Sequence, residues 1–166
     1  EIVNGDIAGC ETECLVVGIE ANGQLSPSAT VLDTVAQGYI ADIVSGGDIQ
    51  GKTAESLLLQ KVPGVTARRV LLIGLGKSEE RNDRNYRKIV KSAMAAIKGI
   101  RAKSAVFALD GLGSNDDDQY RQIRHLIEWA GSELYIYDET KSKKADPVSL
   151  DKIAVLLSEA DSELGE

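Results

Sequence analysis

The run Val70-Leu71-Leu72-Ile73, ended by Gly74, constrains this chain more than any other segment. Alternate side chains of a strand leave opposite faces of a sheet, so four consecutive apolar residues ask for apolar cover on both sides. Cys14-Leu15-Val16-Val17-Gly18-Ile19 makes the same demand. Helices must therefore lie above and below these strands, and helical periodicity supplies them. Ser26-Pro27 pairs a capping hydroxyl with a proline suited to the first helical position. Val31, Leu32, Val35, Ala36, Tyr39, Ile40 and Ile43 then recur at helical spacing, which predicts one continuous helix up to the stop at Gly46-Gly47. A second helix is predicted over 83–98, where Tyr86, Ile89, Val90, Ala93, Met94 and Ile97 share one face and Gly99 closes the element. A third follows Asp116-Asp117-Asp118, whose carboxylates favour the positive end of a helix dipole. Tyr120, Ile123, Ile127 and Leu134 are expected on its apolar side.

Strands are predicted over 56–62, 69–74, 105–109 and 153–157, besides the one that begins at Cys14. The pair 56–62 and 69–74 is separated by little more than the turn Pro63-Gly64, so the two are expected to lie side by side. Residues 141–146 read as a polar connector and 158–166 as a polar tail. Alternating strands and helices give an α/β fold with a mixed, mostly parallel sheet flanked by helices.

A chain of 166 residues fits a single domain that buries roughly 70% of the surface its unfolded form exposes. Its charged fraction of 27% beside 43% apolar residues is globular and excludes a disordered chain. The formal net charge of −7 disfavours nucleic-acid or membrane binding by the surface as a whole. No stretch nears the ~18 uninterrupted apolar residues of a membrane-spanning helix, and the polar start Glu1 to Asp6 carries no secretory pattern. Two cysteines, Cys10 and Cys14, make no disulfide framework, so a cytoplasmic location is expected. Cys14 falls inside a predicted strand and is expected to be a buried thiol. With His125 the only histidine, no soft-metal site and no nucleophile–base pair suggests itself by spacing. His125 itself reads as a surface residue.

Gly46-Gly47-Asp48-Ile49-Gln50-Gly51-Lys52-Thr53 matches the phosphate-loop pattern G-x-x-x-x-G-K-T. That loop works when a strand delivers it and a helix starts at Lys-Thr, so that backbone N–H groups point at the phosphates. Here a helix precedes it and the apolar run Leu57-Leu58-Leu59 follows, which makes it an ordinary turn. Gly74-Leu75-Gly76-Lys77 has better context, but the third glycine of a dinucleotide fingerprint is replaced by Glu79. Asp116-Asp117-Asp118 points in different directions along a helix and makes no cation cage by itself.

Charge is uneven. Residues 68–103 hold eleven basic side chains against three acidic ones, a local balance of +8 in an acidic chain. Arg84, Arg87, Lys88, Lys91 and Lys98 fall on the side of the second helix turned away from its apolar face. Of these, Arg84, Arg87, Lys88 and Lys91 form a candidate footprint for nucleic-acid phosphates. An aromatic content of 4% argues against base stacking.

Leu25-Ser26-Pro27-Ser28-Ala29, Leu57-Leu58-Leu59, Val62-Pro63-Gly64-Val65, Arg69 to Lys77 and Tyr86-Arg87-Lys88, in that order, make the chain similar to the N-terminal domain of M17 leucyl (cytosol) aminopeptidases. The resemblance runs from about Cys14 to about Leu157. It implies a macro-domain-like α/β fold over 1–158, with 159–166 opening a linker to a C-terminal catalytic domain. It also implies that the parent enzyme releases N-terminal amino acids, often leucine, from peptides, with two divalent metals, zinc or manganese, held in that other domain. No motif of that domain is found here, so no catalytic, metal or cofactor residue is assigned. The role implied for this part is assembly of a homohexamer, contact with the catalytic domain and control of access to its sites. Some bacterial members bind DNA, which gives the basic helix an alternative role. The macro-like fold implies another alternative, a nucleotide or ADP-ribose pocket near Gly74 to Gly76.

Overall fold

The computed structural model describes residues 2–4, 9, 11–77, 79, 83–100, 102–108, 124–129, 131 and 152–157. The strands are β1 (Ile2–Asn4), β2 (Cys14–Glu20), β3 (Gln24–Leu25), β4 (Ser56–Gln60), β5 (Arg69–Gly76), β6 (Ser104–Ala108) and β7 (Lys152–Leu157). Between them, among the described residues, lie α1 (Pro27–Val35), α2 (Tyr39–Ser45) and α3 (Asp83–Gly99). The sheet runs β1-β7-β6-β2-β5-β4, and β3 adds briefly to β2. Pairings along β1, β7, β6, β2 and β5 are parallel, while β4 joins β5 antiparallel with Leu58 opposite Leu71. The mixed, mostly parallel sheet read from the sequence is present, and 56–60 lies beside β5 as the spacing predicts.

Strand alternation divides the interior into two cores. Leu15, Val17, Ile19, Val70 and Leu72 face one side, where Leu32, Ala36 and Ile40 of α1 and α2 cover them. Cys14, Val16, Leu71, Ile73 and Leu75 face the other, against Tyr86, Ile89, Val90, Met94 and Ile97 of α3. Each fully buried Leu or Ile contributes roughly 1.5–3 kcal/mol of transfer free energy, so both central strands are anchored twice over.

The helix expected to run unbroken to Gly46-Gly47 is two helices. Ser26 caps α1 as predicted, its Oγ accepting from the Ala29 N–H at 3.2 Å. The chain then leaves helical geometry at Gln37 and Gly38, with φ of 58° and 84°. Gly38 takes the left-handed conformation at little cost. The Asp33 carboxylate accepts from the Ala41 N–H at 2.9 Å, so α1 supplies the cap of α2. An apolar period that continues across the break concealed it.

Two short strands, β1 and β3, were outside the sequence reading; runs of three and two residues carry too little period to register. Residues 124–129 are helical, in keeping with the third predicted helix, but its inner face is different. Leu126 is buried and Ile127 is 48% exposed. Trp129 sets this orientation, packing edge-on to Tyr86 at 5.2 Å between ring centres. His125 is half-buried rather than on the surface, its ring 4.8 Å from that of Trp129. Cys10, Asp116-Asp117-Asp118, Tyr120, Ile123, Leu134, 141–146 and the tail 158–166 lie outside the described residues.

Candidate functional site

Parallel strands β2 and β5 end side by side, at the place where the chain turns to opposite sides of the sheet. Helices α1 and α2 follow β2 on one face, and α3 follows β5 on the other. Crevices outside the carboxyl ends of strands at such a switch point are the usual ligand sites of open α/β sheets. Here the segment that matches the phosphate-loop pattern lies across them. The Gln50 carbonyl accepts from the Gly23 N–H at 3.2 Å, and the Gly51 carbonyl from the Gly76 N–H at 2.9 Å. Ala54 donates to the Gly74 carbonyl at 2.9 Å, and Gly74 donates to the Glu55 carbonyl at 2.6 Å.

At Gln50 and Gly51, within the phosphate-loop pattern, the strap turns carbonyls toward the strand ends, while Ala54 just beyond it presents its N–H to Gly74. A phosphate cradle needs the opposite polarity. The reading of 46–53 as a turn between a helix and a strand holds, and hydrogen bonding explains it. Gly74 and Gly76 are required by the same contact. A side chain at Gly74 would run into the Lys52 carbonyl, and one at Gly76 into the Thr53 hydroxyl. Gly76 also has φ of 73°, in the left-handed region. On the far side of the strap, Ser92 of α3 donates to the Ala54 carbonyl at 2.8 Å.

Beside the strap opens a cavity of about 720 Å³. Its apolar wall comes from Leu25, Ala41, Val44 and Ile49, and Asn22 and Thr53 add polar groups. Lys52 and Lys77 line it as well, and among the described residues no acidic side chain does. Lys52 sits on the strap and Lys77 just beyond β5; both are exposed, and they line one cavity because Gly76 bonds to Gly51. Among the described residues, neither ammonium meets a carboxylate within ion-pair distance. Spacing alone could not place these lysines on one cavity, since that depends on the strap closing over the strand ends.

Of the five basic residues of α3 read onto its outer side, four are exposed and Lys98 is half-buried. Arg84, Arg87, Lys88 and Lys91 are all exposed, opposite the buried stripe of Tyr86, Ile89, Val90, Ala93 and Met94. Cys14 is fully buried in β2, and burial pushes its thiol up to about 12, against a smaller lowering by Arg69. Burial alone raises the Tyr86 hydroxyl. Both groups are neutral at physiological pH, and Cys14 is no nucleophile. Among the described residues no three His, Cys, Asp or Glu side chains converge on a point that could hold a metal. No described helix is long and apolar enough to cross a membrane.

Residues 16–144 match the model of the cytosol aminopeptidase family, N-terminal domain. A probable cytosol aminopeptidase of Pseudomonas paraeruginosa is 38% identical over 152 residues, which are 92% of this chain and 31% of the relative. One from Pseudomonas fluorescens is 40% identical over 150 residues, 90% of this chain and 30% of the relative. The chain thus spans about a third of the length of these relatives. Among solved structures, a tomato leucine aminopeptidase variant superposes with a TM-score of 0.72 at 20% identity, over 95% of this chain and 32% of that one. The macrodomain of Thermus aquaticus DarG superposes at 0.61 with 14% identity, over 94% of this chain and 96% of that one. At such identities these superpositions speak for the fold, which is macrodomain-like.

Proposed function

Because the chain belongs to the cytosol aminopeptidase family and corresponds to its N-terminal domain, we propose that it serves a longer M17 aminopeptidase as a non-catalytic scaffold. In this role it contacts its own catalytic domain and neighbouring subunits of a homohexamer, and it narrows access to the interior sites. The parent enzyme releases N-terminal amino acids, leucine among them, from peptides in the cytoplasm. Two divalent metal ions, zinc or manganese, supply the Lewis-acid chemistry of that reaction when bound. The described residues of this chain do not fit such a centre, since they gather no ligand cluster, and no hydrolytic step is assigned to them.

The family match carries this reading, together with the fact that the chain corresponds to only about 31% of its relative. A chimera tests it. In the Pseudomonas paraeruginosa relative, the matching third is either deleted or replaced by this chain. The deletion is expected to sediment as a smaller assembly, and the chimera to regain size and leucyl-p-nitroanilide turnover with Mn²⁺. The 166-residue chain alone is expected to turn over nothing. A deletion that keeps full assembly and activity would sink the scaffold role. Metal-dependent turnover that follows the pure chain would sink its non-catalytic character.

A second reading is favoured by the exposed basic stripe of α3. In it, Arg84, Arg87, Lys88 and Lys91 hold the phosphate backbone of DNA. Affinity should then fall steeply with salt, with a slope of about −0.9 in log–log form for each phosphate neutralised. Fluorescence anisotropy with duplexes of unrelated sequence checks this. Alanine at all four positions should weaken every duplex alike, and salt-insensitive or absent binding at low ionic strength counts against the reading.

A further inference from the structure

We propose that the outer edge of β4 is a self-recognition surface, to which a second copy of this chain adds its own β4, antiparallel, about a two-fold axis at Leu58. β4 stands at the end of the strand order, so β5 occupies one of its edges and no described strand occupies the other. The hydrogen bonds fix which backbone groups face outward. The Gly74 N–H donates to the Glu55 carbonyl, and the Lys61 N–H donates to the Arg68 carbonyl. Between these two bonds the register is unbroken, with Leu57 opposite Leu72 and Leu59 opposite Val70. Antiparallel ladders alternate, so Leu57 and Leu59 also turn their backbone groups to β5. Ser56, Leu58 and Gln60 turn theirs to the open edge.

Open edges are ordinarily guarded by a charge, a proline or a bulge. β4 reads Ser-Leu-Leu-Leu-Gln and has no shift of register against β5, so it carries none of these guards. Leu57 and Leu58 are only half-buried, one at the margin of each core, and an added strand would cover both. The sequence selects a second copy as that strand. Paired antiparallel about Leu58, Leu57 meets Leu59, Ser56 meets Gln60, and Glu55 meets Lys61 of the other copy. Opposite charges directly across a ladder are favourable and like charges are not. A parallel pairing in register would set Glu55 against Glu55, and a slip of two residues would set Glu55 against Leu59. Glu55 Oε1 accepts from the Gln50 N–H, which holds this carboxylate at the end of β4. The contact uses the same patch on both copies and closes at two. A strand of five residues makes a small interface, so the dimer is weak.

This inference goes beyond the scaffold reading, which names no surface, and it needs only the present chain. Sedimentation velocity of the 166-residue chain, from roughly micromolar to millimolar, is expected to show a monomer–dimer equilibrium. Ser56 and Gln60 are exposed, so charges can be placed there without disturbing either core. Ser56→Lys/Gln60→Lys sets like charges across both outer pairs and should raise the dimer Kd at least tenfold, with the circular dichroism of the parent. Ser56→Glu/Gln60→Lys sets opposite charges across the same pairs and should dimerise at least as tightly as the parent. Amide hydrogen exchange read by NMR locates the contact: the Leu58 and Gln60 N–H groups should gain protection at least tenfold at high concentration. A chain that stays monomeric, a dimer that the double lysine variant leaves intact, a charge-paired variant as weak as the double lysine one, or unchanged exchange at Leu58 overturns the proposal. A dimer lost instead with Val31→Ala belongs to the α1–α2 face and overturns it equally. A monomeric chain whose chimera still assembles refutes the edge pairing alone and leaves the scaffold role standing.

Discussion

Helices α1 and α3 do the same work on opposite faces of one sheet, yet their outer surfaces have nothing in common. Inward, both present an unbroken apolar stripe: Ala29, Leu32 and Ala36 on one side, Ile89, Val90, Ala93, Met94 and Ile97 on the other. Outward, α3 shows Arg84, Arg87, Lys88 and Lys91. The α1–α2 layer shows Val31 at 47%, Val35 at 40% and Tyr39 at 39% exposure. Across α1 and α2 the charged side chains are Asp33, engaged as the cap of α2, and the exposed Asp42. The sheet dictates what each helix turns inward, because β2 and β5 are apolar on both faces. It dictates nothing about the outside, so the difference there reflects what each face meets in solution. A cationic face suits a polyanion, and a face with little charge and with exposed valines and a tyrosine suits another protein surface.

Equality of the two inner faces is the part of this comparison with the largest expected effects. Leu32→Ala removes a fully buried side chain from the α1 side, and Met94→Ala does the same on the α3 side. Each should cost about 2–5 kcal/mol in urea unfolding, by lost transfer free energy and by the cavity left behind. A pair of values that differ by more than about 3 kcal/mol would mean that one helix layer is only loosely packed, and the symmetry would fail.

A pH titration breaks the symmetry in a predictable direction. The Cys14 thiol lies on the α3 side, and burial raises its pKa from 9.0 to about 12. Between those values the unfolded chain has lost the proton while the folded chain retains it. Stability should therefore be intact below about pH 9 and fall above it, by about 1.4 kcal/mol per pH unit from this group. Tyr86, raised by burial on the same side, adds to the fall at higher pH. Cys14→Ala should reduce the alkaline slope by one proton, measured as urea midpoints from pH 8 to 11. A variant with the parent's slope would show that the thiol is not held neutral by the fold.

How far the sequence revealed this molecule follows the same division. The inner faces were legible, because a clean helical period and two continuous apolar runs leave one architecture open, and α3 fell within a residue of its predicted end. What depended on a residue far along the chain was hidden. The α1–α2 break rests on Asp33 reaching the Ala41 N–H, while the apolar period runs straight through it. The face of 124–129 was misread because Trp129 packs on Tyr86 from another element, turning Leu126 inward. That Lys52 and Lys77 line one cavity requires the strap to close over β5. Four basic residues of α3 were legible as a stripe since they sit on one element at helical spacing.

The α1–α2 junction gives the next smaller effect. Asp33→Ala removes the side-chain acceptor of the Ala41 N–H and should cost about 1 kcal/mol, in the range of other helix-cap deletions. Asp33→Asn keeps an oxygen acceptor and should recover most of that loss. Ser26→Ala at the start of α1 should cost a similar amount, since its Oγ caps the Ala29 N–H. If Asp33→Ala were neutral, Gly38 alone would account for the break, and α1 and α2 would be joined by backbone conformation rather than by a cap.

The smallest effects belong to the outer faces, and they sharpen the comparison most. Lys88→Ala and Val31→Ala both change exposed helix positions and should each shift the stability of an isolated chain by no more than about 0.5 kcal/mol. The two part company with concentration. A stripe covered by a second protein surface makes apparent stability depend on how much of that surface is present, because anything bound only to the folded state stabilises it by mass action. The apolar residues exposed on the α1–α2 face predict such dependence for Val31→Ala, with a cost that grows from micromolar to hundreds of micromolar chain, whereas Lys88→Ala stays flat across the same range. Equal, concentration-independent values would return Val31, Val35 and Tyr39 to the ordinary exposed apolar residues of a monomer and leave the basic stripe as the one outer surface with a distinct physical character.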